Sequence, residues 1–66
     1  MKPIIQATHV NLTTKRHLNT PMGRAMANAA IKKVAGKAEG NLEGQVVWNG
    51  QGFHVRRFWV NGRSVS

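Results

Sequence analysis

The sequence predicts a small α+β domain, with one helix packed on a three- or four-stranded, mostly antiparallel sheet in the order β-α-β-β-β. Three observations predict it. Apolar and aromatic residues crowd into the ribbon 44–66, GQVVWNGQGFHVRRFWVNGRSVS, around two turn signals, Asn49-Gly50-Gln51-Gly52 and Asn61-Gly62. An alanine-rich run behind Thr20-Pro21 carries helical spacing. A short apolar run, 3–12, precedes both. One helix can cover only one face of such a sheet, so the other face is left open.

The 66 residues make one domain, 1–66. A chain of this size buries only about 60% of its unfolded surface, so its core is marginal. It has no cysteine, which removes disulfides and Cys-based zinc sites. His9, His17 and His54 lack metal-ligand spacing, so neither a metal nor another cofactor is expected. Ten Lys and Arg stand against two acids, Glu39 and Glu43, for a net charge of +8. The sequence pI is near 11.8. Such a field attracts polyanions. No apolar run approaches the ~18 residues of a membrane span. Met1-Lys2-Pro3-Ile4-Ile5 is too short and too soon polar for a signal peptide. The chain is read as cytoplasmic, with no membrane partner.

Residues 3–12 read as a strand, Ile4, Thr8, Val10 and Leu12 on one parity and Ile5, Ala7, His9 and Asn11 on the other. Residues 13–19, TTKRHLN, read as a polar, basic connector, with room for one helical turn or for an arm lying along a phosphate backbone. Thr20 is a good N-cap, and proline at the first helical position loses no hydrogen bond. The helix that follows turns Met26, Ala27, Ala30, Ile31 and Val34 to one face, the expected core stripe. Arg24, Asn28 and Lys32 line the opposite side. Lys32, Lys33 and Lys37 gather at the C-terminal end, which the helix dipole favours. Gly40, followed by Asn41, is the expected stop, ahead of Gly36. Ala25 and Ala29 form a small-residue strip that permits close helix approach, so a homodimer is among the partners considered.

After a loop at 41–43, the ribbon is expected to run as strands 44–49, 52–60 and 63–66. Asn-Gly readily takes the positive φ values of a tight hairpin. Val46, Trp48, Phe53 and Val55 share one face, the core face. Unbroken alternation would then send Arg57 into the core. A bulge at Arg56-Arg57 avoids this and turns Phe58, Val60 and Val65 inward. It leaves His54 and Trp59 outside, with one or both arginines.

An aromatic ring beside cations is what a nucleic-acid platform requires: a face for bases, charge for phosphates. The expected contacts are Lys15, Arg16, Arg24, Lys32, Lys33 and Lys37 on phosphates, with His54, Arg56, Arg57 and Trp59 on the ribbon. Two acids close together in sequence make no convincing acid/base pair, and no triad, phosphate loop or metal motif is present, so no enzyme is expected. The chain therefore reads as a small non-enzymatic nucleic-acid-binding protein, accessory or regulatory. DNA is favoured over RNA, because a basic ribbon and a basic helix could straddle a duplex at about five phosphates. A single helix argues against a helix-turn-helix. The alternative is a small regulator or inhibitor that binds an acidic face of a protein partner, by a tryptophan anchor or the sheet edge.

Overall fold

The computed structural model describes residues 3–65. They form β1 (Ile4–His9), α1 (Leu12–Leu18), α2 (Pro21–Ala35), β2 (Asn41–Trp48), β3 (Phe53–Val60) and β4 (Arg63–Ser64). The four strands make one mixed sheet in the order β1-β2-β3-β4. β1 lies parallel to β2, and the other two pairs are antiparallel. The fold class is the expected α+β, with a second helix added. The expected last strand, 63–66, shrinks to two residues, and Ser66 lies outside the described residues, as do Met1 and Lys2 of the segment weighed as a leader.

The connector expected at 13–19 is instead the two-turn helix α1. Asn11 caps it: its Oδ1 accepts from the Thr14 backbone N–H at 3.0 Å and from the Thr14 hydroxyl at 3.1 Å. Thr14 is fully buried, and its Oγ1 in turn accepts from the Trp48 backbone N–H at 3.0 Å. Thr14 and Leu18, four residues apart, are the helix's buried pair. The apolar face of α1 is thus half hydroxyl, which hid it among polar neighbours.

Thr20 caps α2 as expected, accepting from the Gly23 N–H at 2.9 Å, with Pro21 in the first turn. Two expectations for α2 are corrected. It stops at Gly36, whose φ of +64° ends the helix, and not at Gly40. The buried stripe is Gly23, Ala27 and Ile31, while Met26 and Val34 are 39% and 56% exposed. Stepping by four drifts about 40° per step, so the contact line crosses the helix obliquely.

Residues 41–43 belong to β2 and are not a loop, because Leu42 is part of the core at 1% exposure. Leu42, Gly44 and Val46 alternate inward along β2. Phe58 on β3 joins them, and Ile31 closes over them from α2. Burying each large member of this set contributes roughly 1.5–3 kcal/mol. Both turns form as expected. Asn61 and Gly62 have φ of +52° and +83° and join Val60 to its partner Arg63. Asn49 Oδ1 accepts from Gln51 and Gly52 in the other turn.

The bulge forms as well. Gln45 pairs with Arg57, and the next residue, Val46, pairs with Val55. Arg56 is therefore the additional residue of β3. The shift lets both Val55 and Phe58 face the helices and keeps Arg56 and Arg57 exposed. Val65, expected to turn inward, is 61% exposed. Trp48 is half-buried, its ring stacked on His17 at 3.9 Å and set edge-on to Phe53 at 5.1 Å.

Candidate nucleic-acid interface

Both helices pack on the face carrying Leu42, Gly44, Val46 and Phe58. The period of two assigns the remaining positions to the uncovered face. On β3 these are His54, Arg57 and Trp59, with Arg56 beside them in the bulge. Their β2 partners are Val47 for His54, Gln45 for Arg57 and Glu43 for Trp59. On β1, Thr8 and Gln6 continue the rows, opposite Gln45 and Glu43. His54, Arg56 and Arg57 are exposed, and Trp59 is half-buried. The ring and Arg57 sit two residues apart, roughly 7 Å along the strand, with Arg56 one residue further in the bulge. A base on Trp59 would leave its phosphates within reach of the Arg57 and Arg56 side chains.

Glu43 departs from this pattern. It is one of two acids in the chain, is half-buried, and stands directly across from Trp59. Its carboxylate disfavours a phosphate at the Trp59 end. A bound strand would therefore keep its backbone toward the Arg56–Arg57 end.

The other expected contacts lie elsewhere. Lys15 and Arg16 are exposed on α1, Lys32 and Lys33 lie in the last turn of α2, and Lys37 follows its C-cap. All ride on the layer that covers the opposite side of the sheet. Arg24 lies beside β1, where its Nε donates to the Leu18 carbonyl at 3.1 Å and so closes the C-terminal end of α1. The structure thus brings together His54, Arg56, Arg57 and Trp59, and separates them from Lys15, Arg16, Arg24, Lys32, Lys33 and Lys37. Lys32, Lys33 and Lys37 lie across the sheet from the ribbon set, while Lys15 and Arg24 stand at the β1 edge beside Gln6 and Thr8. Counting charges along the sequence could not separate them, since only the register of β3 says which face a residue takes.

With two helices present, the argument that one helix rules out a helix-turn-helix no longer holds. The outward face of α2 is mostly apolar, with Met22, Ala25, Met26 and Ala29 exposed there, and Lys33 is the side chain on it that could donate to a base edge. The signal for α1 was Asn11 three residues before Thr14, a cap pattern inside a polar run. Among the described residues no helix is long and apolar enough to cross a membrane.

No protein-family model, no curated protein and no solved structure matches this chain.

Proposed function

We propose that the protein is a small, non-enzymatic nucleic-acid-binding factor that takes a single strand on the uncovered face of its sheet. The observation that carries this reading is the row Trp59, Arg57, Arg56 and His54 on one open face, in a chain of net charge +8. Bases stack on exposed rings irrespective of sequence, and arginines neutralise the phosphates between them. A flat, open sheet suits unpaired bases, whereas a duplex hides its bases and offers a curved backbone. The helix-borne lysines supply a general attraction toward any polyanion and speed the encounter.

The experiment is a fluorescence-anisotropy titration of labelled single-stranded DNA, single-stranded RNA and duplex DNA of one sequence, with the parent protein and Trp59→Ala. The reading expects a single strand to bind more tightly than the duplex. It expects Trp59→Ala to lose about 1–3 kcal/mol of affinity for the single strand. Equal affinity for single strand and duplex, unaffected by Trp59→Ala, would leave only bulk charge and would reject the platform.

A further inference from the structure

We propose that the free edge of β1 binds an extended acidic peptide as an added strand, at a site separate from the open sheet face. β1 stands at one end of the sheet order, with β2 its one neighbouring strand among the described residues. The Ile4 N–H turns inward, donating to Gly40 O at 2.9 Å. In a parallel ladder every second residue turns both its N–H and its C=O to the same neighbour. Gln6 and Thr8 therefore follow Ile4 toward β2. Ile5, Ala7 and His9 direct their N–H and C=O groups outward, a template of three residues for another strand.

That edge is the wall of a groove of about 530 Å³ formed with α1 and α2. Residues 5–9 line one side, and Lys15, Leu18, Asn19, Arg24 and Asn28 line the other. Among the described residues that line it, none is acidic, while Lys15 and Arg24 are cationic. Arg24 is already held by its bond to the Leu18 carbonyl. A guanidinium fixed in this way loses less freedom when a carboxylate arrives. The backbone would set the peptide's direction and register. Lys15 and Arg24 would select carboxylates at the alternate positions that lean toward the helices. On the opposite side β4 is two residues long and pairs with Trp59 and Val60. Among the described residues the bulged stretch 53–57 of β3 is therefore also an open edge, but one without a groove of basic side chains beside the helices.

The test is an NMR titration of the ¹⁵N-labelled protein with a capped synthetic peptide of alternating Glu and Val, and with its counterpart bearing Lys for Glu. In the free protein, the Ile5, Ala7 and His9 amides should exchange with solvent faster than those of Gln6 and Thr8. The Glu peptide should slow exchange at Ile5, Ala7 and His9 and shift residues 5–9, 15, 18–19, 24 and 28. The Lys peptide should do neither. Lys15→Glu, on the helix surface, should weaken the Glu peptide by about tenfold. Ala7→Pro, which removes one outward donor and none that faces β2, should weaken it at least as much. Equal response to both peptides, shifts confined to 54–59, or full retention of binding by a folded Lys15→Glu protein would overturn the proposal. Displacement of the peptide from this groove by single-stranded DNA would also overturn it, making the groove a general polyanion site.

Discussion

Gly44 lies directly beneath Ile31: a Cβ built on Gly44 would stand 2.6 Å from Ile31 Cγ1. β2 can therefore pass under α2 only where it lacks a side chain, flanked by Ala7 on β1 and Phe58 on β3. This contact sets how close the helix layer sits to the sheet. Gly44→Ala should destabilise the domain by about 1–3 kcal/mol, because the added methyl forces the layers apart. A thermal melt reads it. Adding Ile31→Val, which removes Cδ1 from the clash, should make the pair cost less than the sum of the two single changes.

Thr14 joins α1 and its cap to β2 through one hydroxyl, donating to Asn11 and accepting from the Trp48 backbone. Thr14→Val keeps the shape and deletes the hydroxyl. The Trp48 N–H would then lose its partner beside the core. The expected loss is about 1–3 kcal/mol in chemical denaturation, with Thr14→Ser close to the parent. Equal stability of parent and Thr14→Val would show that water replaces the hydroxyl at that N–H.

These two residues also mark how far the sequence could be read. The ribbon was legible because its turns and its bulge have local causes: Asn61-Gly62 demands positive φ, and an inward Arg57 is too costly. The α1 helix was not, because its buried anchor is Thr14, whose burial depends on partners 3 and 34 residues away. The core stripe of α2 was misplaced for a related reason. Ala27 and Ile31 were placed correctly, but the contact line runs obliquely through Gly23, Ala27 and Ile31 over Gly44 and leaves Met26 and Val34 exposed. At the site, the bulge told which ribbon residues face outward, while the opposition of helix and ribbon required the assembled layers.

The salt response distinguishes one face from two. If Arg56 and Arg57 are the phosphate contacts, log K against log[salt] for a single strand should fall with a slope near −1.4, from about −0.7 per phosphate. Lys32→Ala and Lys33→Ala should leave that slope unchanged. A slope of about −4 to −5 would mean that the helix layer also contacts the strand.

Glu43 stands across from Trp59 and would oppose a phosphate at that end of the proposed platform. Glu43→Gln keeps the size and removes the charge, so it should tighten single-strand binding by about two- to fivefold at low salt and less at high salt. Weakened binding would instead assign the carboxylate a contact with a base donor.

The two tryptophans provide the most direct test, since Trp48 stacks on His17 on the helix side and Trp59 stands on the uncovered face. Their indole N–H resonances can be followed separately while a single-stranded oligonucleotide is added to ¹⁵N-labelled protein at low salt. The account predicts that the Trp59 indole signal shifts with saturation while the Trp48 signal stays in place. A stationary Trp59 signal under saturating oligonucleotide would contradict it, and movement of Trp48 alone would transfer the binding surface to the helix layer.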